Sequence, residues 1–144
     1  MIRVERDVDA SAEQLWAAVA DPVSLPEWTA STTSVELLDG RLGPGARARV
    51  VQPGLSPAVW TVTEFVQGES FVWTSTSAGV TTTGSHTVSR RDGDRSRIEL
   101  GLDQRGLLAP LLRLLLGAKI RRYVGMEADG LKAAAEAVAR PERP

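Results

Sequence analysis

One stretch decides the fold of this chain: residues 107–139, LLAPLLRLLLGAKIRRYVGMEADGLKAAAEAVA. Its apolar residues recur with the period of an α-helix and fall on one arc, namely Leu116, Ile120, Tyr123, Val124, Leu131, Ala134 and Val138. A continuous helix of this length would extend for about 50 Å. A flat sheet in a chain of 144 residues is too small to cover such a helix, so we expect a curved partner.

The sequence before this helix has the two-residue period of β-strands. Ile2 to Val8 alternates apolar and charged residues, and six further runs are rich in Val, Thr, Trp and Phe, at about 32–38, 46–52, 58–66, 69–77, 80–89 and 95–103. Turn residues such as Asp92-Gly93 separate these runs. Short turns between consecutive strands force antiparallel neighbours, so we predict one antiparallel sheet of seven strands.

Two short helices are predicted between the first and second strands. Ser11 and Gln14 have the spacing of a capping box, which would start a helix over Ala12–Ala20. Pro22 ends that helix, because proline cannot continue the hydrogen-bond ladder. The stretch 23–28 then predicts a second helical turn.

Together these elements predict an α+β chain in which a curved antiparallel sheet wraps around the long C-terminal helix. We expect residues 1–144 to form one domain, with a frayed tail at 140–144. In a regular strand over 58–66, the apolar Val62 and the charged Glu64 would point to the same face, and the apolar Phe65 would point to the other. This mismatch indicates a β-bulge.

Bulk composition excludes several classes of function. The formal net charge of −1 and the pI near 5.9 predict no general attraction to nucleic acid or to anionic lipid. The chain has no Cys and one His, which excludes disulfides, thiol nucleophiles and multi-histidine metal sites. A Gly-rich phosphate loop and a nucleophile elbow are absent, and we expect no metal and no cofactor. The N-terminus lacks a signal-peptide pattern, so we expect a cytoplasmic protein.

Several segments resemble one branch of a known superfamily. They are Val4-Glu5-Arg6-Asp7-Val8-Asp9-Ala10-Ser11-Ala12-Glu13-Gln14-Leu15-Trp16, Asp21-Pro22 with Leu25-Pro26-Glu27-Trp28, Trp60-Thr61-Val62-Thr63-Glu64-Phe65, Phe71-Val72-Trp73, His86 and Leu131-Lys132. With the order of the elements, they are similar to the polyketide cyclase/dehydrase-like branch of the helix-grip superfamily (SRPBCC), which includes START lipid-transfer domains and the birch-pollen-allergen family. The resemblance implies the helix-grip fold, with a pocket between sheet and helix. It implies no single activity, because the superfamily includes carriers, cyclases and dehydratases.

Glu127 is the main anomaly of the C-terminal helix. It lies in the middle of the apolar arc, where a carboxylate is unfavourable unless it is paired or protonated. One interpretation is a cavity carboxylate that exchanges a proton or binds the polar end of a ligand. The other is a structural pairing with an arginine at the pocket rim or with strand backbone.

His86 is the single imidazole of the chain. It falls on the inward parity of its strand, with Val80, Thr82, Gly84 and Val88. Facing inward, it could act as an acid or base, or donate a hydrogen bond to a ligand carbonyl. The alternative is a packed or half-exposed strand histidine bonded to a hydroxyl such as that of Thr82. His86 and Glu127 are the candidate catalytic residues if they meet across the pocket.

Four aromatic side chains combine apolar area with a polar tip: Trp28, Trp60, Trp73 and Tyr123. Core packing is the ordinary interpretation of each, and as a group they would also suit a flat aromatic or polycyclic ligand. The resemblance places Trp28 near the pocket mouth. The ligand-binding residues that we expect are Trp28, Trp60, Trp73, Thr82, His86, Ile120, Tyr123 and Glu127.

The start of the long helix is apolar nearly all round, with seven leucines in the ten residues 107–116. This segment is too short for a membrane span, which needs about 20 residues. Leucines that do not face the sheet must cover the pocket mouth or meet a partner. We predict a lid or a homodimer contact in preference to membrane docking. Arg113, on the apolar arc, would either snorkel to water or bind an anionic group.

Three hypotheses of function follow. The first is a binding protein that holds a small hydrophobic or aromatic molecule, with polar contacts from His86 and Glu127. The second, implied by the resemblance, is a cofactor-independent cyclase, aromatase or dehydratase that folds a poly-carbonyl chain and assists aldol closure and loss of water with a proton shuttle. The third is a regulatory or stress-related protein that acts through its leucine-rich end.

Overall fold

The computed structural model describes residues 1–140. Strand β1 (Ile2–Val8) is followed by helix α1 (Ala12–Val19) and a 3₁₀ helix (Pro22–Glu27). Six strands come next: β2 (Ser34–Leu37), β3 (Arg47–Val51), β4 (Ala58–Val66), β5 (Ser70–Ser77), β6 (Val80–Arg90) and β7 (Ser96–Arg105). The chain then enters the long helix α2 (Ala109–Ala139). The order of elements predicted from the sequence is confirmed.

All seven strands form one curved antiparallel sheet, in the order β1-β7-β6-β5-β4-β3-β2. The first and last strands are neighbours, with Ile2 opposite Leu102 and Val8 opposite Ser96. The other contacts join strands that are consecutive in the chain, as their short connections require. The sheet bends around α2, which is the arrangement predicted for so long a helix.

The predicted β-bulge is present in β4. Pairing with β5 passes from Val62–Trp73 to Glu64–Val72, so Thr63 has no opposite residue. The extra residue reverses the inward parity of the strand beyond it. Phe65 therefore turns toward the core, where its ring meets the edge of Trp16 at a centroid distance of 5.7 Å.

Inward-facing residues follow the predicted parities of the strands. Those buried on the concave side include Ala48, Val50, Phe71, Trp73, His86, Val88, Ile98 and Leu100. Helix α1 covers one end of this surface with Leu15 and Trp16, both buried. The capping box that starts α1 is confirmed: Ser11 Oγ accepts from the Gln14 N–H at 3.1 Å, and Gln14 Oε1 accepts from the Ser11 N–H at 2.9 Å.

The C-terminal half of α2 packs closely on the rest of the molecule through mostly small residues. Those that face the core there are Ala128, Gly130, Leu131 and Ala135. A methyl group on Gly130 would lie 3.0 Å from the carbonyl oxygen of Trp28, so helix and backbone are in direct contact. The predicted arc is wrong at Val138, which is 71 % exposed. Where two backbones approach closely, only small side chains fit between them. The face of α2 that packs on the core is therefore marked by Gly and Ala, and it lies beside the arc of large apolar residues.

Polar contacts tie the end of α2 to the turn between β1 and α1. Glu136 accepts hydrogen bonds from the Asp9 N–H at 2.8 Å and from Lys132 Nζ at 2.6 Å. Burial acts to raise the pKa of the Glu136 carboxyl, but the two hydrogen bonds outweigh it and the pKa is lowered. Arg140 caps the helix, and the rest of the predicted frayed tail, 141–144, lies outside the described residues. Along residues 1–140, no helix is both long and apolar enough to cross a membrane.

Candidate functional site

A narrow cavity of about 90 Å³ lies between the sheet and the middle of α2. Its walls include Val50, Trp60, Trp73, His86, Leu100, Leu102, Ile120, Tyr123, Val124 and Glu127. This volume is below the range of about 300–1,000 Å³ that is typical of ligand pockets. Most of the wall is apolar, and His86 and Glu127 supply its acid–base side chains.

Two neighbouring strands fix the position of the His86 ring. The ring stacks on Phe71, with centroids 4.0 Å apart and planes inclined by 10°. Its Nδ1 lies 3.3 Å from the carbonyl oxygen of Phe71. A carbonyl oxygen only accepts, so Nδ1 carries the hydrogen and Nε2 is the nitrogen directed at the cavity. The predicted hydroxyl partner Thr82 is wrong, because the strand register brings the Phe71 backbone to His86 instead.

The structure brings His86 and Glu127 together across the cavity. Nε2 of His86 is 3.6 Å from Oε2 of Glu127, and the two side chains are 8 % and 20 % exposed. This distance exceeds that of a direct hydrogen bond, so both atoms keep capacity to bond a polar group beside them. The pair can therefore donate a proton to a bound molecule or accept one from it.

Two of the predicted tryptophans form an aromatic wall next to this pair. The rings of Trp60 and Trp73 have centroids 5.5 Å apart, and Trp73 meets the edge of Phe71 at 5.2 Å. Trp73 lies against the backbone of Gly84, where a methyl group would be 3.1 Å from its Nε1. The absence of a side chain at Gly84 thus leaves room for the indole of Trp73 against the neighbouring strand.

A wider groove of about 380 Å³ continues the cavity toward the start of α2. Six residues line both spaces: Val50, Gln52, Leu55, Trp60, Leu102 and Ile120. Thr82 lines this outer groove, opposite leucines that include Leu112 and Leu116. The combined space runs from the His86–Glu127 pair to the leucine-rich end of the helix.

Ile120 and Tyr123 are the predicted contacts contributed by α2. Ile120 lies where the inner cavity joins the outer groove. Tyr123 is buried, and its hydroxyl donates to the carbonyl oxygen of Pro53 at 2.6 Å. The polar tip of Tyr123 therefore anchors the loop between β3 and β4, and the ring remains as a wall of the cavity.

The expected position of Trp28 at the pocket mouth is wrong. Trp28 lines neither the cavity nor the groove, and it is 41 % exposed at the end of the 3₁₀ helix. Gly130 of α2 packs against the backbone carbonyl of Trp28. Arg113 is exposed and donates from Nη1 to the carbonyl oxygen of Gln104 at 3.0 Å, which links α2 to the end of β7.

Sequence reasoning missed the contribution of the loop between β3 and β4. Gln52 and Leu55 line both spaces, although the sequence pattern indicates only the end of a strand at Gln52 and a turn at Pro53-Gly54. The available signal was composition, since residues 52–58 carry no charged side chain at an exposed connection. Within residues 1–140, no three His, Asp or Glu side chains group closely enough to hold a metal ion.

Solved structures with the same fold include proteins of different activity. The Zhui aromatase/cyclase from Streptomyces sp. R1128 is 19 % identical, with a TM-score of 0.79 over 96 % of this chain and 94 % of that one. A START superfamily protein from Mycobacterium smegmatis is 18 % identical, with a TM-score of 0.68 over 96 % and 95 %. Norcoclaurine synthase from Thalictrum flavum is 18 % identical, with a TM-score of 0.70 over 95 % and 94 %. At these identities the likeness shows the helix-grip fold.

The family comparison extends over almost the whole chain. None of the curated proteins compared with the chain matches it. One family model, described as polyketide cyclase / dehydrase and lipid transport, matches residues 1–136, from β1 to the last turn of α2. This match and the shared fold confirm the resemblance seen in the sequence. The chain therefore belongs to the polyketide cyclase / dehydrase and lipid transport family.

Proposed function

We propose that this protein binds a small hydrophobic or aromatic molecule in the space between the sheet and α2. The supporting observation is that an apolar groove of about 380 Å³ leads to a cavity of about 90 Å³ that ends at His86 and Glu127. Ligand pockets typically measure about 300–1,000 Å³ and carry few polar groups, and the combined space has these properties. The ligand would place its apolar body in the groove and one polar group beside the pair.

The size of the inner cavity restricts the ligand. The inner cavity of about 90 Å³ is much smaller than the outer groove of about 380 Å³, so the apolar bulk of the ligand would lie in the groove. The ligand class is therefore an amphiphilic molecule with one small polar end. Trp60 and Ile120, at the junction of the two spaces, would contact the part of the ligand just behind that end.

Calorimetric titration with 2-naphthol, an aromatic probe with one hydroxyl group, tests this proposal. Thr82→Trp would fill the outer groove, whereas Thr83→Trp places the same side chain on the other face of β6. We expect saturable binding to the wild type, at least tenfold weaker binding to Thr82→Trp and unchanged binding to Thr83→Trp. Equal affinities of the two variants would contradict a site in the groove. Native mass spectrometry of the purified protein would identify a natural ligand that is retained.

The 3.6 Å approach of His86 and Glu127 supports a second candidate, a cofactor-independent cyclase or dehydratase. In such a reaction the pair would remove a proton from a carbon between two carbonyl groups. That carbon attacks another carbonyl of the same chain, and the new oxyanion takes up a proton to become a hydroxyl group. The attacking carbon then loses its second proton while the hydroxyl group takes up a proton and leaves as water, which forms a carbon–carbon double bond. General acid–base groups contribute about 10²–10⁴-fold to such steps.

Two substitutions separate the binding protein from the enzyme. His86→Ala and Glu127→Gln would be compared with the wild type on a synthetic poly-β-ketone thioester. In a binding protein both variants lose affinity and no turnover is present. In an enzyme both variants retain binding while turnover falls by about 10²–10⁴-fold. Wild-type affinity and turnover in both variants would exclude the pair from either role.

A further inference from the structure

The two ends of the sheet differ in their charge. The groove opens between the β3–β4 loop, the β5–β6 turn and the start of α2; we call residues 52–58, 77–80 and 106–116 the open end. Residues 52–63 and 70–89, which include most of β4 and all of β5, contain no Asp, Glu, Lys or Arg, whereas β7 reaches the same end with the ion pair of Asp103 and Arg105. The turns at the opposite end carry Asp39, Arg41, Glu69, Arg91, Asp92, Asp94 and Arg95.

The open end exposes a group of large apolar side chains. Between 46 % and 96 % of each residue is exposed in Leu107, Leu108, Leu111, Leu114 and Leu115. The other exposed large apolar residues among 1–140 come singly along the sequence, at Met1, Val23, Trp28, Leu38, Val59, Val66 and Val138. Scattered apolar residues are normal on a soluble surface, whereas a contiguous group marks a contact with a partner or a membrane.

Basic residues flank this group. The stretch 104–126 has no Asp or Glu and five basic residues, Arg105, Arg113, Lys119, Arg121 and Arg122, of which Arg105 pairs with Asp103 just before the stretch. Arg113, Arg121 and Arg122 line an open cleft of about 570 Å³ beside the leucines. Among residues 1–140 these three form no ion pair. The net charge of −1 for the whole chain therefore conceals a local excess of positive charge.

We propose that the open end is a docking surface for an anionic lipid bilayer. The leucines would enter the boundary between headgroups and acyl chains, and the arginines of the cleft would contact lipid phosphates. Leu114 and Arg121 are seven residues apart, which is about 10 Å along a helix. With the start of α2 directed into the bilayer, the arginines would lie about 10 Å behind the leucines, at the level of the headgroups, so both sets of contacts can form together. The docking goes beyond the proposed ligand binding, and Leu108, Leu111 and Leu115 belong both to the docking surface and to the wall of the groove.

Charge favours a bilayer over a second copy of the chain as the partner. In a twofold dimer through the leucines, the basic residues of both copies would be brought close together. The stretch 104–126 offers no acidic residue to neutralise them. Anionic headgroups supply the missing negative charge, and polybasic segments beside apolar ones are attracted to such surfaces. The homodimer predicted from the sequence becomes an alternative outcome of the test.

Flotation of the full chain with vesicles tests the proposal. We expect binding to vesicles of phosphatidylcholine and phosphatidylglycerol in a two-to-one ratio, weaker binding as sodium chloride is raised, and little binding to phosphatidylcholine alone. Leu114→Asp should weaken binding at least tenfold. Val138→Asp is the matched control, because it changes an exposed apolar residue at the other end of the same helix and should leave binding unchanged.

A second pair of variants tests the basic cleft. The double variant Arg121→Glu with Arg122→Glu should lose at least tenfold in binding and most of its salt dependence, whereas Arg91→Glu, at the opposite end, should bind like the wild type. Failure of the wild type to float with anionic vesicles would overturn the proposal. A wild-type dimer in sedimentation equilibrium that Leu114→Asp converts to monomer would also overturn it, in favour of a second copy. Circular dichroism would establish that each variant is folded.

Discussion

The two halves of α2 meet the sheet in opposite ways, although both belong to one apolar stretch of sequence. The C-terminal half brings Ala128, Gly130 and Ala135 into close contact with the rest of the core. The N-terminal half presents leucines such as Leu112 and Leu116 to an open groove. Side-chain size accounts for the difference, because small residues let backbones approach while large ones hold helix and sheet apart. We call the C-terminal half the closed half and the N-terminal half the open half. The closed half is therefore expected to contribute most to the stability of the fold, and the open half to contact the ligand.

The largest expected contrast is between two leucines truncated to alanine. Leu15, on α1 beneath the closed half, is fully buried, whereas Leu114 is 81 % exposed. Leu15→Ala should lower the free energy of unfolding by about 2–5 kcal/mol, because it leaves a cavity in the core. Leu114→Ala should change it by less than about 0.5 kcal/mol. Urea denaturation measures both values, and similar losses for the two variants would remove the contrast between the halves.

Replacing glycine with alanine should have opposite effects on stability at two positions of α2. A methyl group on Gly130 would lie 3.0 Å from a backbone oxygen and 3.1 Å from the Cβ of Thr29. Gly130→Ala should therefore destabilise the protein by about 1–3 kcal/mol. No heavy atom lies within 4 Å of the corresponding position at Gly117, so Gly117→Ala should stabilise it by about 0.5–1 kcal/mol, the helix propensity of alanine over glycine. Thermal unfolding measures both effects, and a change in stability of the same sign in the two variants would contradict the packing described for α2.

A smaller effect on stability is expected from Glu136, whose carboxylate links the closed half of α2 to the turn between β1 and α1. The pKa of Glu136 is lowered in the folded state from an ordinary value near 4.5, despite its burial, by the hydrogen bonds from Lys132 and the Asp9 N–H. A group with a lowered folded pKa stabilises the protein above its unfolded pKa, and this contribution is lost as pH falls through the folded value. Glu136→Gln should reduce stability at neutral pH and flatten its decline in acid. Unfolding curves from neutral pH to below 4.5 measure this, and an unchanged slope in the variant would exclude the contribution.

Local signals in the sequence were sufficient for most of the fold. Alternation placed the strands and their inward faces, and the misplaced apolar parity of Phe65 revealed the bulge at Thr63. The spacing of Ser11 and Gln14 predicted a capping box because its hydrogen bonds join residues three positions apart. These features depend on neighbours along the chain, which a single sequence contains.

Features that depend on contacts distant in the chain were predicted less well. Parity and the helical wheel directed His86 and Glu127 inward, but their 3.6 Å separation depends on how α2 lies across the sheet. The same dependence explains the errors at Val138 and Trp28, whose positions follow from the close contact of Gly130 with a distant backbone. It also explains why the Phe71 carbonyl, and not a hydroxyl, bonds to His86.

Nitrogen NMR of the His86 side chain, recorded during titration with 2-naphthol, tests the central claim most directly. The chain contains a single His, so its two ring nitrogens give unambiguous signals. If the ligand's polar end lies beside Nε2, this signal should shift in a saturable manner with the affinity measured by calorimetry, and Thr82→Trp should abolish the shift. Binding of 2-naphthol to the wild type with no change at either ring nitrogen would contradict a ligand site that ends at His86 and Glu127.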